Sequence, residues 1–427
     1  MTRFPIGFWN YMTIADQGPE AVQEWADAGM TLAMGPSYGP DEDELRKMRT
    51  ILDAAAARDI SVILCDRRAD WRHLTKYGEE AYRRDMQEAV RQIGEHPAIA
   101  GFHVGDEPDK AAFVDACRAH RIQKELAPGL TPFLNLLQWN LNVHRWVGFE
   151  RWEDYLDEYM RYSAADVLAY DCYSQMLPGE VGWDMYFRNL RMFQAAAARH
   201  GVPFWPTQLA VGHWHYRCPS EEDLRWQLNT AVAHGAKGIL WFFFYMRRPH
   251  DNFRLSPIDE HGRRTPTFDA LARVCNSFLK GPAATIMDLT LRRVHHLGKV
   301  WGGVEALDTS AGPVGRVTAA WMGQGTPANP EFRTTAAPLI VSQFTDSRGR
   351  DHIMLVNNSL QHNAWAFCSI RCLQATIVKI GWQGREPIVA RSEGDKDTVT
   401  IDHWLAPGQM ELFRVDEPTT DSESREQ

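Results

Sequence analysis

The sequence lacks any apolar run long enough to cross a membrane. Its longest run, Gly238–Tyr245, is far shorter than the roughly 20 residues that a membrane-spanning helix needs. It also lacks a Lys/Arg tract, and its formal net charge is -9. We therefore expect neither a membrane nor a nucleic acid as partner. Hydrophobic residues make up 44% and charged residues 24% of the 427 positions, which excludes a disordered or collagen-like chain.

Cysteine is scarce and its spacing is irregular. The seven cysteines are an odd number, and Cys65, Cys117, Cys172 and Cys275 each stand singly within apolar runs. This pattern is typical of reduced, buried thiols in a cytosolic protein. The segment Met1–Asn10 has no cationic stretch followed by an apolar core, so we expect no signal peptide and a cytoplasmic location.

Eight short apolar runs alternate with amphipathic segments along the first two thirds of the chain. The runs are Pro5–Asn10, Met30–Gly35, Ile60–Asp66, Ile99–Glu107, Thr131–Gln138, Val167–Tyr173, Pro203–Ala210 and Gly238–Tyr245. Continuous apolar runs are typical of parallel strands buried on both faces. Helix signals lie between them, such as the capping hydroxyl of Ser220. The pattern predicts an α/β fold, a (β/α)₈ TIM barrel over residues 1–280. A doubly wound sheet is the main alternative, but no glycine-rich phosphate loop follows the first run.

The pattern changes after about Leu279. Helical periodicity gives way to short alternating segments separated by turn residues such as Pro407-Gly408. This arrangement predicts an all-β sandwich over residues 281–415. The polar and acidic residues 416–427 predict a disordered tail.

Polar residues at the ends of the predicted strands should meet at one mouth of the barrel, where the active sites of such barrels lie. Glu107 ends the fourth run beside Asp106, and burial together with that neighbouring charge would raise its pKa, as a general acid needs. The alternative is a helix-capping Asp-Glu-Pro turn. Asp171 closes the apolar sixth run, so it either takes part in catalysis or pairs with an arginine.

The other strand ends combine carboxylates, amides, histidines and aromatic rings, a mixture that suits a sugar. Amides and carboxylates bond hydroxyl groups, and indoles stack on apolar ring faces. The 16 tryptophans exceed what a core usually needs, which agrees with this view. The predicted substrate-binding residues are Trp9, Asp66, His103, Asp106, Asn135, Trp139, Tyr173, Gln208, His213, Trp214 and Trp241. Asp66 also has a structural explanation, because three arginines follow it closely.

A metal centre and a serine nucleophile find little support in the sequence. His103, His213 and His215 could ligate a metal together with the carboxylates, but no two-histidine helical spacing and no cysteine pairs of the zinc-binding kind occur. No Gly-x-Ser-x-Gly turn occurs either. We therefore predict no metal and no cofactor.

The run Gly101–Pro108 resembles the fourth-strand signature of clan A glycoside hydrolases, in which the acid/base glutamate ends that strand. The segments Pro203–Gln208, Pro219–Gln227 and Gly235–Trp241, with Arg264–Phe268 before the last helix, are similar to bacterial glycosidase-like proteins related to the family 42 type. The resemblance covers residues 1–280 and extends loosely to the appended sandwich. It implies a barrel fold, a carbohydrate or glycoside substrate, and an acid/base role for Glu107.

One position departs from that family pattern. Clan A enzymes carry a nucleophilic glutamate at the end of the seventh strand, where this sequence has Gln208. Either Asp171 serves as base or nucleophile, or an isosteric glutamate-to-glutamine change has been made, or the barrel has lost classical hydrolysis. An inverting mechanism is open in the first case, since carboxyls about 6.5–9.5 Å apart leave room for water.

The sequence therefore predicts an exo-acting glycosidase for small oligosaccharides or glycosides, because short loops favour a pocket over a groove. A non-hydrolytic carbohydrate-binding barrel and a metal-dependent sugar isomerase or lyase remain alternatives. A homo-oligomer is also compatible with the sequence.

Overall fold

The computed structural model describes residues 3–179, 181–247, 252–310, 312–323, 333–371, 376–381, 384–388 and 398–416. The chain divides into two compact units. One comprises Met1–Leu224 with Ala236–Asn276, and the other comprises Arg225–Gly235 with Ser277–Gln427. None of the described helices combines the length and hydrophobicity needed to span a lipid bilayer.

The first unit contains an eight-stranded parallel sheet, which confirms the predicted barrel. Its strands are β1 (Ile6–Phe8), β2 (Leu32–Met34), β3 (Ser61–Leu64), β4 (Ile99–Asp106), β5 (Phe133–Leu136), β6 (Leu168–Asp171), β7 (Phe204–Leu209) and β8 (Ile239–Phe242). Each lies within one of the eight apolar runs. Neighbours follow chain order, and β1 pairs with β8, so the sheet curls round to bring its first and last strands together.

Helices connect the strands, as the amphipathic segments predict. They are α1 (Ala21–Asp27), α2 (Glu42–Ala56), α3 (Trp71–Tyr77), α4 (Glu79–Ile93), α5 (Phe113–Leu126), α6 (His144–Val147), α7 (Trp152–Ser163), α8 (Val181–His200), α9 (Glu221–Ala233), α10 (Pro266–Lys280) and α11 (Ala283–Asp288). A 3₁₀ turn, Ser174–Met176, follows β6. The hydroxyl of Ser220 accepts a hydrogen bond from the Asp223 N–H, and the Asp223 carboxylate accepts from the Ser220 N–H. These reciprocal bonds fix the start of α9.

The seam between β1 and β2 depends on Thr31. The Thr31 hydroxyl accepts from the Ile6 N–H at 2.8 Å and donates to the Phe4 carbonyl at 2.7 Å. The Thr31 N–H also donates to the Ile6 carbonyl at 3.0 Å. One side chain therefore supplies bonds that a backbone ladder provides at the other neighbouring strand pairs of the sheet.

The second unit is built from antiparallel strands, which confirms the predicted all-β region. Its strands are β9 (Thr290–Leu297), β10 (Glu305–Ala306), β11 (Val314–Gly323), β12 (Arg333–Ala336), β13 (Leu339–Thr345), β14 (Asp351–Asn357), β15 (Ala364–Arg371), β16 (Thr376–Gly381), β17 (Gly384–Ile388), β18 (Thr398–Leu405) and β19 (Met410–Asp416). They form a seven-stranded sheet, in which only the short β10 runs parallel to its neighbour β9, and a four-stranded sheet. Alternate side chains of both sheets, such as Ala366 and Leu355, share one apolar core.

The predicted tail, residues 416–427, is described only at its first position. Asp416 is the last residue of β19 and pairs with Thr376 on β16. Asp416 is therefore part of a strand, in contrast to the prediction. Residues 417–427 lie outside the described part of the chain.

Candidate active site

A cavity of about 640 Å³ opens at the carboxyl ends of β1, β3 and β4. This volume lies in the range typical of small-molecule sites. Four of the predicted substrate-binding residues line it, namely Trp9, Asp66, His103 and Asp106. Tyr11 and the α3 residues Arg72, His73, Lys76 and Tyr77 line it as well.

Three carboxyl groups lie together at this mouth of the barrel. The Nδ2 group of Asn135, at the end of β5, donates to Asp106 Oδ1 at 3.1 Å and to Asp171 Oδ1 at 3.0 Å. The charge of Asp171 acts on Glu107, and Glu107 and Tyr173 both affect the pKa of Asp171. The ends of β4, β5 and β6 therefore form one polar cluster.

The pKa values of these three carboxyls all lie above their ordinary values. The charge of Asp171 is the largest cause of the raised pKa of Glu107, followed by burial and by Asp106. Burial is the main cause for Asp106, whose pKa rises to about 7, and Asp171 adds to it. Burial also raises the pKa of Asp171, and the bonds from Asn135, Glu107 and Tyr173 oppose that rise. Like charges this close cannot all ionise, so at neutral pH protons stay within the cluster.

Glu107 is partly exposed, while its backbone is held in an unusual conformation. Its φ is +43°, a left-handed value that non-glycine residues rarely adopt, and its N–H donates to the Asn135 carbonyl at 2.9 Å. Two residues earlier, Gly105 has φ +149°, and a Cβ there would lie 2.3 Å from the Trp71 ring. Only glycine fits this approach. The strained turn fixes the direction of the Glu107 side chain, and such strain clusters at functional sites.

The end of β7 has a different character, because it carries an amide network. Gln208 is completely buried. Its Oε1 accepts from Gln175 Nε2 at 3.2 Å, and its Nε2 donates to the Tyr186 hydroxyl at 3.2 Å. The neutral side chain at this position is thus bound to α8 and to the 3₁₀ turn, which begins three residues after β6.

Aromatic rings surround the polar cluster. Trp9 stacks on Tyr11 with ring centroids 6.2 Å apart and meets His103 edge-on at 5.4 Å. Burial lowers the pKa of His103 to about 4, so its ring is neutral. Among the described residues, neither Trp9 Nε1 nor His103 Nε2 has a hydrogen-bond partner. Both atoms are buried and belong to side chains that line the cavity.

On the other side of the cluster, Tyr173 stacks on Phe242 at 5.1 Å. His213 packs against both of these rings, and burial lowers its pKa to about 4. Trp214 is 62% exposed and Trp139 is half-buried, with the Arg188 guanidinium 4.6 Å from its ring centre.

The structure contradicts the expected stacking role of Trp241. Its ring is completely buried and therefore cannot offer a face to a sugar. Because successive strand residues point to opposite faces, Phe242 takes the inward position instead. Asp66 borders the cavity, but both of its oxygens accept from the Arg68 guanidinium at 2.7 and 3.0 Å. This is the structural explanation that the nearby arginines suggested.

The sequence did not indicate that α3 and Tyr11 form part of the cavity wall. Arg72, one of the three arginines that follow Asp66, bonds Asp70 and lines the cavity. Within the described residues, no group of three or more His, Cys, Asp or Glu side chains is arranged to hold a metal ion.

Comparisons with known proteins support the fold and leave the chemistry open. No protein-family model matches the chain, and no curated protein matches it. A catalytic mutant of a GH42 beta-galactosidase from G. stearothermophilus is similar at a TM-score of 0.60 and 8% identity, over 98% of this chain and 99% of that one. A family 5 glycoside hydrolase from Bacteroides vulgatus ATCC 8482 is similar at 0.56 and 13%, over 98% and 89%.

A beta-galactosidase from the psychrophilic Marinomonas ef1 is similar over 64% of this chain at a TM-score of 0.47 and 13% identity, too low to support an argument. This chain spans 59% of the length of that protein. The two stronger similarities confirm the barrel with an appended β region and its relation in fold to the family 42 type.

Proposed function

We propose that the protein is a glycoside hydrolase that cleaves a glycosidic bond in a small glycoside or oligosaccharide, with Glu107 as general acid and Asp171 as its partner. The observation that carries this proposal is the carboxyl cluster at the barrel mouth, in which Asn135 bonds both Asp106 and Asp171 and the Asp171 charge raises the pKa of Glu107, so that Glu107 keeps a proton available. Proteins of the same fold are named glycoside hydrolases, which supports a carbohydrate as substrate.

Glu107 fits the role of proton donor. A general acid must hold its proton near neutral pH, and the neighbouring Asp171 charge raises the pKa of Glu107. The strained backbone at Glu107 aims the carboxyl, and the residue is partly exposed. It can therefore reach the leaving-group oxygen of a bound glycoside.

The charge of Asp171 has the largest effect on the pKa of Glu107, which favours a nucleophile over a base for Asp171. An inverting pair is about 6.5–9.5 Å apart because a water molecule lies between them, whereas a retaining pair is about 5–5.5 Å apart. A strong mutual effect agrees better with the closer of these two arrangements. The hydrogen bond from Asn135 favours the ionised form of Asp171, as a nucleophile requires.

The reaction then has two steps. Glu107 donates its proton to the glycosidic oxygen while an Asp171 oxygen bonds to the anomeric carbon, so the leaving alcohol departs and a glycosyl–aspartate ester forms. The Glu107 carboxylate next takes a proton from water, and the resulting hydroxide oxygen displaces Asp171 from the same carbon. Two inversions retain the anomeric configuration.

The substrate ring is proposed to lie in the cavity beside Trp9, His103 and Asp106. The free Trp9 Nε1 and His103 Nε2 atoms are suited to hydroxyl groups, and the Trp9 ring offers an apolar face. Tyr173, Asn135 and Gln208 are proposed to orient the reacting groups from the other side. Trp139, His213 and Trp214 are proposed to contact the leaving group.

A panel of nitrophenyl glycosides, with and without a chelator, tests the proposal. We expect turnover that the chelator does not change, release of single sugars from the non-reducing end of short oligosaccharides, and a retained anomer by NMR. Binding without turnover would instead indicate a carbohydrate-binding barrel. Activity lost on chelation would indicate a metal-dependent isomerase or lyase, and an inverted product would exclude the nucleophilic role of Asp171.

A further inference from the structure

The α3 wall of the cavity carries one positive charge without an ion-pair partner among the described residues. Arg72, His73 and Lys76 lie on this short helix and line the cavity, as do Trp9, Tyr11 and His103. Arg72 pairs with Asp70, so the charge that remains is that of Lys76.

Ion pairs account for most of the charges that line this cavity. Asp66 is held by Arg68 at 2.7 Å, and Asp70 by Arg72 at 3.0 Å. Arg67 pairs with Glu44 at 3.1 Å, and the His73 ring contacts Asp85 at 2.8 Å. Asp106, which also lines the cavity, bonds Asn135 within the carboxyl cluster.

Lys76 differs from these cavity-lining cations. Among the described residues it takes part in no ion pair and no hydrogen bond, and its nearest interaction is with the Tyr77 ring, 4.8 Å from Nζ. The ammonium group thus lies over an exposed aromatic ring at the edge of the cavity with its donors free. A free cation facing a ligand cavity is suited to an anionic group of that ligand.

Lys76 lines the same cavity as Asp106, which belongs to the carboxyl cluster and precedes Glu107. The cavity volume of about 640 Å³ is that of a small-molecule site. A substrate that contacts both the carboxyl cluster and Lys76 is therefore one whose charged substituent lies on, or next to, the sugar being cleaved.

Building on the proposed function, we propose that the substrate contains a uronic acid, whose carboxylate binds Lys76 with Arg72 beside it. The charge count favours a carboxylate over a phosphate. One uncompensated ammonium matches one negative charge, whereas a phosphate monoester carries about −1.5 to −2 at neutral pH.

Relative kcat/KM for charged and neutral substrates tests this proposal. The panel consists of nitrophenyl glucuronide and galacturonide, the matching glucoside and galactoside, and the 6-phosphates of the last two. We expect the native protein to prefer a uronide over its neutral partner, and Lys76→Met to reduce that preference at least about tenfold, as loss of a charged hydrogen-bond partner does. Lys76→Arg should keep most of the preference, and added salt should weaken it.

Lys47→Met is the matched control. Lys47 is an exposed lysine on α2 that pairs with Asp43 at 3.1 Å, away from the cavity lining. It should leave the uronide preference unchanged. A preference that survives Lys76→Met, or a stronger preference for the 6-phosphates, overturns the proposal.

Failure of this inference can be told apart from failure of the proposed function. Hydrolysis of neutral glycosides without a uronide preference would leave the glycosidase proposal in place and refute the anion site. If no glycoside is cleaved, calorimetric binding of methyl uronides and of methyl glycosides by the native protein and Lys76→Met decides the matter. Lys76-dependent binding of the uronides supports the anion site, and equal binding by both proteins refutes it.

Discussion

The two sides of the barrel mouth are built from opposite kinds of side chain. At the ends of β4 to β6, Asn135 hydrogen-bonds both Asp106 and Asp171, and Glu107 directly follows Asp106. The pKa values of all three carboxyls are raised. At the end of β7, Gln208 binds Gln175 and Tyr186 through neutral groups. The ionisable carboxyls are therefore concentrated at the ends of β4 to β6, whereas the end of β7 carries neutral amide groups held by hydrogen bonds.

This difference supports Asp171 as the proposed second catalytic group. The resemblance to clan A enzymes implies a carboxylate at the end of the seventh strand, and Gln208 cannot supply one. The carboxylate with the largest effect on the pKa of Glu107 is instead Asp171, on β6, one strand earlier around the barrel. If the carboxyls of β4 to β6 carry out the reaction, substitutions there should abolish turnover. Substitutions at Gln208 should chiefly affect the free energy of unfolding.

The largest effect is expected for Asp171→Asn. Removing a nucleophile should lower kcat on the order of 10⁴–10⁶-fold, as such changes do in other hydrolases. Azide should restore part of the activity toward activated nitrophenyl glycosides and give a glycosyl azide of inverted configuration. The same variant should lower the pKa of Glu107, because the Asp171 charge is the main cause that raises it.

Asp166→Asn is a suitable control for this change, since Asp166 precedes β6 and pairs with Lys124 away from the cluster. Retention of most activity in Asp171→Asn would move the second catalytic role to another carboxyl.

Glu107→Gln should lower kcat by about 10²–10⁴-fold, the usual contribution of general acid catalysis. Leaving groups of high pKa should suffer most, because they need the proton. In the native protein, kcat/KM should fall on the alkaline side once Glu107 loses its proton, and on the acid side once Asp171 gains one. The variant should lose the alkaline limb of this profile.

The exposed Glu95 offers a control, Glu95→Gln, that should change neither rate nor profile. Equal losses for good and poor leaving groups would show that Glu107 is not the acid.

Substitution of Gln208 should change the free energy of unfolding more than it changes kcat. Gln208→Ala removes two buried hydrogen bonds, each worth about 0.5–1.5 kcal/mol, and leaves a cavity, so urea unfolding should show a loss of free energy while turnover persists. Gln208→Glu should not raise kcat. A rise of orders of magnitude would identify this position as that of the nucleophile and would contradict the role of Asp171.

The smallest effect concerns Asp106 and the pH dependence of stability. Its folded pKa of about 7 exceeds the ordinary value of 3.8, so the folded state holds this proton more tightly than the unfolded state. The resulting stabilisation is present below about pH 4 and is lost as the pH rises to about 7. Asp106→Asn cannot ionise and avoids this loss.

Thermal unfolding at pH 5 and pH 8 measures the effect. The difference in Tm between Asp106→Asn and the native protein should be more positive at pH 8 than at pH 5. The increase should be on the order of 2–4 °C for each kcal/mol that ionisation of Asp106 costs the native protein. The same change at the exposed Asp402 should show no such dependence. A difference that is constant with pH would contradict the raised pKa.

The barrel could be predicted from the sequence because its signals are local. Continuous apolar runs mark strands covered on both faces, and the polar residue that ends each run falls at the mouth, as Glu107 and Asp171 do. Side-chain direction was harder to predict. Trp241 and Phe242 are neighbours on β8, and a shift of one residue decides which of them faces inward.

Long-range partners were beyond the reach of the sequence. Nothing near Gln208 indicates that Tyr186, on a different helix, would bind it, and nothing near Lys76 indicates that α3 forms a cavity wall. The spacing of Glu107 and Asp171 likewise depends on how β4 and β6 approach each other, with Asn135 between them. For that reason the sequence left a base and a nucleophile equally open.

Thr31 has a consequence for how the barrel opens. The β1–β2 seam relies on three bonds made by one residue, so it should separate at a lower free-energy cost than the other edges. The Ile6 N–H donates to the Thr31 hydroxyl. Amide hydrogen exchange at Ile6 should therefore report local opening of the sheet before global unfolding. Thr31→Val keeps the shape but removes the acceptor, so exchange at Ile6 becomes faster while exchange in β5 and β6 stays slow. We therefore expect the β1–β2 seam to be the site at which the barrel sheet opens first.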